Sequence, residues 1–227
     1  MSEFDQYSGN YRELLDRSVR ISGETGEYFA AYKARYVAAH VAPRPDCRLL
    51  DYGCGTGLVA SQLRKVLPAA KVDGYDVSRE SLAQVAPELR AQGAFVTSTS
   101  ELTPGYDVVM MANVLHHIPP AERHEHIGAV KGMLTAAGRL IIFEHNPLNP
   151  LTRQAVASCP VDENAILLPA YETMDYLRRS CFEDISLSYI VFFPHVLRWL
   201  RPLEGALEWC PLGAQYAVCG IRGSSKA

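Results

Sequence analysis

The chain has 227 residues, of which 48% are hydrophobic and 21% charged, and its formal charge at pH 7 is −3. At roughly 150 residues per domain this length predicts a single domain, large enough to fold around its own core without disulfides or a structural metal. The slight acidic excess argues against a nucleic-acid partner, because binding to a phosphate backbone depends on clustered Lys and Arg, and no apolar run approaches the roughly 18 residues of a membrane-spanning helix.

The first 44 residues are predicted to form a helical cap. Apolar side chains recur at helical spacing over residues 8–40, and the pattern breaks near Ser22 and Gly23, so two helices are expected. The first residues are polar and acidic, unlike a secretory signal. The six cysteines lack the spacing of a metal site or of a disulfide framework. These features predict a cytoplasmic protein with reduced thiols.

Strands and helices are predicted to alternate from residue 45 onward. The apolar runs lie at 47–53, 71–75, 94–98, 106–113 and 139–145, and the helical stretches at 57–67, 78–92 and 119–137. This alternation is typical of a parallel sheet with helices on both faces. A later helix is expected at 171–180, and two late strands at 184–193 and 215–221 are expected to pair antiparallel. The predicted fold is α/β: a Rossmann-like, mostly parallel seven-stranded sheet with the N-terminal cap and a late insertion between the last two strands.

A glycine-rich turn follows the first predicted strand. Asp51 precedes Gly53, Gly55 and Gly57, and a helix opens near residue 58. Glycines take positive φ and let the backbone approach a ligand, and the helix N-terminus offers unpaired N–H groups. Asp76 stands 19 residues after Gly57, at the end of the second strand, where a carboxylate can accept hydrogen bonds from ribose hydroxyls. The turn therefore predicts a nucleotide-like ligand.

The glycine spacing resembles the first motif of the class I S-adenosylmethionine-dependent methyltransferases. That motif typically ends in D-x-G-x-G-x-G, as residues 51–57 do, whereas pyrophosphate-binding turns are spaced G-x-G-x-x-G. The resemblance covers about residues 45–221. It implies S-adenosyl-L-methionine as the cofactor and S-adenosyl-L-homocysteine as its product, with Asp51 and the glycine backbone holding the amino acid end and Asp76 the ribose.

The resemblance also implies further cofactor contacts. Val77 and Ser78 would lie against the adenine, and Thr99 or Ser100 would replace the Asp that family members commonly place after the third strand. Two tyrosines of the cap would fold over the cofactor, although packing alone explains them equally well. The full set of implied contacts is Tyr7, Tyr11, Asp51, Gly53, Cys54, Gly55, Gly57, Asp76, Val77, Ser78, Thr99, Ser100, Ala112, Asn113, Val114 and His117.

Two adjacent histidines follow the fourth predicted strand. Residues 106–119 contain Leu-His-His and resemble the family's fourth motif. His116 or His117 could be a general base, because an imidazole with a pKa near the working pH can remove a proton as a hydroxyl or amine is methylated. Alternatively, one histidine caps the next helix and the pair only supports the loop. A metal held with His124 and His126 is the least favoured interpretation, since that pair lies on a solvated helical face, and no metal is predicted.

A polar loop follows the fifth predicted strand. Glu144 or His145 could orient the nucleophile or act as a base, and Asn146 and Asn149 could bind the acceptor. The alternative is turn chemistry, because Asn-Pro pairs are common loop formers.

The sequence therefore predicts one methyltransferase domain over residues 1–227, with the cap at 1–44, a cofactor-binding half at 45–150 and a substrate-side half at 151–227. The expected reaction is methyl transfer to an O, N or C nucleophile of a small-molecule or lipid-like acceptor, by a monomer or a homodimer. Residues 192–210 could form an acceptor wall, a subunit contact or a peripheral membrane face. One alternative is a non-catalytic S-adenosylmethionine-binding partner protein; a nucleotide-dependent oxidoreductase is less favoured.

Overall fold

The predicted strands form one seven-stranded sheet in the computed structural model, which describes residues 3–41 and 46–223. The strands are β1 (Arg48–Tyr52), β2 (Lys71–Tyr75), β3 (Phe95–Val96), β4 (Tyr106–Ala112), β5 (Leu134–His145), β6 (Glu183–Ile190) and β7 (Gln215–Ile221). Their order across the sheet is β3-β2-β1-β4-β5-β7-β6. Strand β7 is antiparallel to both of its neighbours, and the other pairs are parallel. The predicted fold class is confirmed, including the antiparallel pairing of the last two strands.

Eight α-helices lie among the described residues. They are α1 (Tyr11–Val19), α2 (Gly26–Ala39), α3 (Leu58–Val66), α4 (Arg79–Ala83), α5 (Pro87–Arg90), α6 (Arg123–Met133), α7 (Pro150–Ala157) and α8 (Ala170–Arg179). Turns of 3-10 helix occupy Glu3–Asn10, Arg20–Ser22, Thr99–Glu101, Leu115–His117, Pro160–Asp162 and His195–Ala206. The predicted break in the cap occurs at Gly23, which takes a left-handed φ of 71°.

The central strands are buried on both faces, as their continuous apolar runs predict. In β1, Leu49 joins a core cluster with α2 and α3, whereas the next residue, Leu50, joins a cluster with α6 and α8. Strands β1, β2, β4 and β5 run parallel, so their carboxyl ends meet at one edge of the sheet. Ligands of open α/β sheets bind at that edge.

Two predicted helices differ from those in the structure, and one helix was not predicted. The stretch 78–92 forms two short helices because Pro87 starts a new one and has no N–H for the preceding turn. Helix α6 ends at Met133, since Leu134 is extended and begins β5. Helix α7 was not predicted. It begins behind Asn149, whose Oδ1 accepts hydrogen bonds from the N–H groups of Leu151 and Thr152.

The late insertion, residues 191–214, carries a 3-10 helix and several exposed apolar side chains. Val196, Trp199 and Trp209 are each more than two-thirds exposed. Within residues 3–41 and 46–223, no helix combines the length and apolarity needed to cross a bilayer.

Candidate active site

The glycine turn bends sharply at the carboxyl end of β1. Gly53, Gly55 and Gly57 take φ values of 80°, 51° and 75°, which glycine adopts at little cost. A Cβ on Gly53 would lie 2.4 Å from Cγ2 of Val114, so the turn packs directly against the loop after β4. The carbonyl of Tyr75 accepts hydrogen bonds from the N–H groups of Gly53 and Cys54, at 2.7 and 2.9 Å. The turn is therefore held between two strand ends.

Asp76 connects the glycine turn to the end of β2. Its Oδ2 accepts a hydrogen bond from Gly55 N–H at 2.7 Å, and its Oδ1 accepts one from Ser78 N–H at 2.9 Å. Burial raises the pKa of Asp76, while these two donors act in the opposite direction. Each carboxylate oxygen can accept a further bond, so Asp76 can brace the turn and still meet a ligand.

Two chambers meet at the glycine turn. The inner chamber lies between the turn, α2 and α7, and the outer chamber lies between the turn, the end of β2 and the loop after β4. Both are lined by Gly53, Gly55, Ala112 and Asn113. Asn113 has a φ of 59°, and such strained backbone at a residue other than glycine often marks a functional site.

Asp51 and Lys33 line the inner chamber with opposite charges. Both are almost fully buried, and neither oxygen of Asp51 has a hydrogen-bond partner among the described residues. Burial and the nearby charge of Asp76 raise the pKa of Asp51 to about 7. Burial lowers the pKa of Lys33 to about 8, although the charges of Glu144 and Asp51 oppose this shift.

Lys33 was not predicted from the sequence as a site residue. It lies on the buried face of α2 with Ala30, Ala34 and Val37, a spacing of i, i+3, i+4 and i+7. Lysine is almost never fully buried without a partner. A lysine on the apolar face of the cap helix was the signal that could have identified it.

His116 lies between two carboxylates. Its Nδ1 is 2.5 Å from Oε2 of Glu144, and its Nε2 is 3.5 Å from Oδ1 of Asp162. Burial alone would lower the pKa of His116, but the two acids raise it to about 9, so the imidazole is protonated at neutral pH. Burial raises the pKa of Glu144 and of Asp162, whereas the nearby His116 lowers it. The net result for both acids is a lowered pKa. Asp162 was also missed from sequence, because nothing in its local pattern connects it to the histidines.

Glu144 has both oxygens occupied. Oε1 accepts hydrogen bonds from the N–H groups of Val114 and Leu115, at 3.1 and 2.7 Å, and Oε2 faces His116. The ion pair of His116 and Glu144 therefore supports the loop after β4.

His117 and His145 line different chambers. His117 lines the outer chamber, and its Nε2 is 3.4 Å from Oδ1 of Asp162. His145 lines the inner chamber, and its Nε2 is 3.3 Å from Nδ2 of Asn113. Burial and the positive charge of His116 lower the pKa of His145 to about 4. His145 is therefore a neutral imidazole beside the junction of the chambers.

Three side chains have donor atoms close enough to share a cation. Ligand atoms of His116, His117 and Asp162 lie within 4.8 Å of one another. A protonated His116 between Glu144 and Asp162 accounts for the same arrangement through ion pairing.

The remaining predicted residues fall into two groups. Cys54 lines the inner chamber, and Val77 and Val114 line the outer one, whereas Ser78 instead donates its hydroxyl to Asp5 Oδ1 at 2.7 Å. Residues not found among the described lining of either chamber are Tyr7, Gly57, Ser78, Thr99 and Ser100. The side chain of Tyr11 lies outside the described residues.

Asn146 and Asn149 are used within the fold. Asn146 Nδ2 donates to the carbonyls of Pro211 and Gly213, and Asn149 Nδ2 donates to that of Leu212. These bonds favour turn chemistry over acceptor binding for the two amides.

Comparison with known proteins identifies the domain. Residues 50–140 match a family model described as a methyltransferase domain. The chain is 41% identical to the release factor glutamine methyltransferase of Bacteroides thetaiotaomicron over 80 residues, 34% of this chain but only 28% of that protein. It is 28% identical to the trans-aconitate 2-methyltransferase of Deinococcus radiodurans over 78% of this chain and 72% of that protein.

A solved structure has the same fold along nearly the whole chain. The SAM dependent methyltransferase from Archaeoglobus fulgidus superposes with a TM-score of 0.70 at 16% identity, over 93% of this chain and 100% of that one. The glycine turn of the present sheet lies within the residues that match the family model. The chain is therefore similar to the S-adenosylmethionine-dependent methyltransferases, in sequence over residues 50–140 and in fold along nearly its whole length.

Proposed function

We propose that the chain transfers the methyl group of S-adenosylmethionine to an O, N or C nucleophile of a small-molecule acceptor. The observation that carries the proposal is the buried Asp51 carboxylate beside Lys33 in the inner chamber. Leaving a buried carboxylate without a partner is costly. The amino acid end of the cofactor offers an ammonium for Asp51 and a carboxylate for Lys33, so both buried groups gain partners when it binds.

The two chambers divide the rest of the cofactor between them. With the amino acid end in the inner chamber, Asp76 would hold the ribose, and Val77 and Val114 of the outer chamber would line the adenine. The Ser78 hydroxyl positions the cap through Asp5. Thr99 and Ser100 have no supported role in this arrangement.

The bound cofactor supplies an activated methyl group to the acceptor. Holding the acceptor in near-attack geometry can lower the barrier by roughly 7–11 kcal/mol. A general base contributes 10²- to 10⁴-fold in rate, which corresponds to only roughly 3–5 kcal/mol. His145, a neutral imidazole at the junction, is suited to form a hydrogen bond with the attacking group. His116 and Glu144 are positioning residues, and His117 remains a second candidate for contact with the reacting groups.

The enclosure of the inner chamber supports a small acceptor. Cap residues Leu15 and Phe29 line one side of it, and Ala155 of α7 lines another. A folded protein or nucleic acid would have to displace these elements to reach the junction. The formal charge of −3 also disfavours nucleic acid. The relatives named above include a release factor methyltransferase and an aconitate methyltransferase, so relatedness does not decide the acceptor.

Calorimetry with S-adenosylhomocysteine tests the cofactor site. Asp51→Asn, Lys33→Met and Asp76→Ala are each expected to weaken binding at least tenfold, since a hydrogen bond to a charged group contributes roughly 1.5–3 kcal/mol. Asp175→Asn, at a surface aspartate paired with Arg179, is the matched control and should bind like wild type. Unchanged affinity in all three site variants would overturn the proposal.

Methyl transfer itself separates the enzyme from the non-catalytic alternative. Incubation with methyl-labelled S-adenosylmethionine and a panel of small acceptors should give labelled product and S-adenosylhomocysteine. Tight cofactor binding with no transfer across a broad panel would favour a binding protein without catalysis.

A further inference from the structure

A third chamber opens beside the inner one and is mostly apolar. We name it the acceptor chamber; it lies between the cap, α7 and the start of the late insertion. Its apolar wall includes Ile21, Phe29, Leu151, Phe192, Phe193 and Pro194. It shares five lining residues with the inner chamber, namely Val19, Phe29, His145, Ala155 and Gln215. A molecule in this chamber would therefore face the junction where the methyl group is delivered.

The charges around the acceptor chamber are already neutralised. Glu24 lines it, but its Oε1 accepts hydrogen bonds from Arg201 at 2.6 Å and from His195 at 3.0 Å. The guanidinium of Arg201 also lies over the Tyr28 ring, 4.3 Å from its centroid. No Lys or Arg is among the described residues that line the chamber. A carboxylate or phosphate entering here would lose its water without gaining a cation, which is costly.

Most polar groups of the wall are also used within the fold. Thr152 Oγ1 donates to the carbonyl of Ala214 at 2.8 Å, and Ser22 Oγ donates to that of Val19 at 2.6 Å. Asn149 caps α7 and donates to Leu212. These groups therefore have few hydrogen bonds left to make with a ligand.

Two polar groups remain at the end that joins the inner chamber, and the Tyr28 hydroxyl of the same wall also has no hydrogen-bond partner among the described residues. Gln215 is almost fully buried, and its Oε1 has no hydrogen-bond partner among the described residues. His145 lies beside it as a wall of both chambers. An amide oxygen only accepts hydrogen bonds. A ligand that satisfies Gln215 therefore carries a hydroxyl or N–H group at the end of the ligand nearest the cofactor.

Building on the proposed function, we infer that the methyl acceptor is an uncharged, mainly apolar molecule whose single hydroxyl or N–H group meets Gln215 and His145. The chamber has a volume of about 130 Å³, comparable to the roughly 150 Å³ of an engineered apolar cavity that binds benzene. It therefore holds one aromatic or alicyclic ring, and a second fused ring can extend toward its open side. The wall discriminates by charge, because its apolar residues accept a neutral ring and reject an anion of the same shape.

Two probes of the same shape test the charge preference. 2-Naphthol and 2-naphthoate both carry a naphthalene ring, but the first is a neutral donor and the second an anion at pH 7. In the presence of saturating S-adenosylhomocysteine, wild-type protein should bind 2-naphthol at least tenfold more tightly, measured by calorimetry or by naphthalene fluorescence. Gln215→Leu should weaken 2-naphthol several-fold, and by more than it weakens S-adenosylhomocysteine.

A matched pair of lysine variants places the probe in the chamber. Leu151 lines the chamber and is 53% exposed, whereas Leu148 is 62% exposed and is not among the described lining residues. Leu151→Lys should weaken 2-naphthol and strengthen 2-naphthoate, because it supplies the missing cation. Leu148→Lys should change neither.

The outcomes separate the two proposals. Equal or tighter binding of 2-naphthoate by wild type, or equal effects of the two lysine variants, would overturn the acceptor inference while S-adenosylhomocysteine still binds. Failure of S-adenosylhomocysteine to bind folded wild-type protein would overturn the proposed function, and the acceptor inference with it.

Discussion

His116 Nδ1 lies 2.5 Å from Oε2 of Glu144, and both side chains are fully buried. The other oxygen of the same carboxylate accepts hydrogen bonds from the N–H groups of Val114 and Leu115, at the start of the loop after β4. An ion pair inside the protein thus determines where that loop lies, and His117 lines the outer chamber as a result. The pair has a measurable dependence on pH.

Stability should fall at alkaline pH because of His116. Its pKa is raised from 6.5 to about 9 in the folded protein, so the imidazolium stabilises the fold fully below pH 6.5 and loses that effect as the pH rises through 9. The loss should be on the order of 2–3 kcal/mol. Urea unfolding between pH 6 and 9.5 should show it as a decline of wild type relative to His116→Asn, which keeps a donor but cannot titrate, while other buried groups such as Lys33 contribute equally to both proteins. Parallel pH profiles for the two proteins would contradict this assignment.

Cofactor binding should be coupled to a proton at Asp51. The pKa of Asp51 is raised to about 7 without a ligand, and an ammonium beside it favours the ionised form. Binding of S-adenosylhomocysteine should therefore release a proton from Asp51 below pH 7. The affinity for S-adenosylhomocysteine should rise by up to tenfold between pH 6 and 7. Calorimetry in two buffers of different ionisation enthalpy measures the proton directly. Asp51→Asn should show neither the proton release nor the rise of affinity with pH. Release of almost no protons by wild type would argue against pairing of Asp51 with the ligand ammonium.

Gly53 should tolerate no side chain. Its φ is 80°, and a Cβ would meet Val114 at 2.4 Å, so Gly53→Ala should lower the free energy of unfolding by about 1–3 kcal/mol and weaken S-adenosylhomocysteine at least tenfold. A Cβ on Gly128 in α6 would meet no atom within 4 Å, and Gly128→Ala should stabilise by about 0.4–1 kcal/mol. Thermal melts measure the stability of both variants, and calorimetry measures their affinity for S-adenosylhomocysteine. Similar stability and affinity in the two variants would refute this prediction.

The contact between Asp5 and Ser78 should slow cofactor release. The Ser78 hydroxyl donates to Asp5 Oδ1 at 2.7 Å and links the first 3-10 helix to α4. Asp5→Ala should increase the dissociation rate of S-adenosylhomocysteine about three- to tenfold, the effect of losing roughly 1 kcal/mol, as followed by stopped-flow fluorescence. Glu13→Ala, at an exposed cap residue paired with Arg17, should leave the rate unchanged. Equal rates in wild type and Asp5→Ala would show that this contact does not retain the ligand.

The cofactor half of the site could be predicted because its determinants are local in sequence. Asp51, the three glycines and Asp76 lie within 26 residues, and their spacing specifies a strand, a turn and a helix. Lys33, Asp162 and Gln215 were missed because each reaches the site from a distant element, and no local pattern shows which partners the fold will bring to it.

Two errors in the predicted helices have different physical origins. Residues 134–137 look helical by composition, yet Leu134 pairs with Tyr106 of β4, so strand pairing overrides local propensity. Helix α7 was overlooked because the Asn-Pro pair at 149–150 was interpreted as part of a loop, either for acceptor binding or for turn chemistry, whereas Asn149 is the N-cap and Pro150 the first helical residue. Both residue types are favoured at those helix positions.

The order of strands also bears on synthesis of the chain. Strand β6 pairs only with β7 among the described strands, and β7 separates it from β5. While the ribosome is still producing residues 191–214, β6 has no neighbour in the sheet and β5 has an open edge, a combination that favours aggregation of nascent chains. The last strand to emerge must enter between two that are already made, so assembly of this half of the molecule is necessarily a late, long-range event in folding.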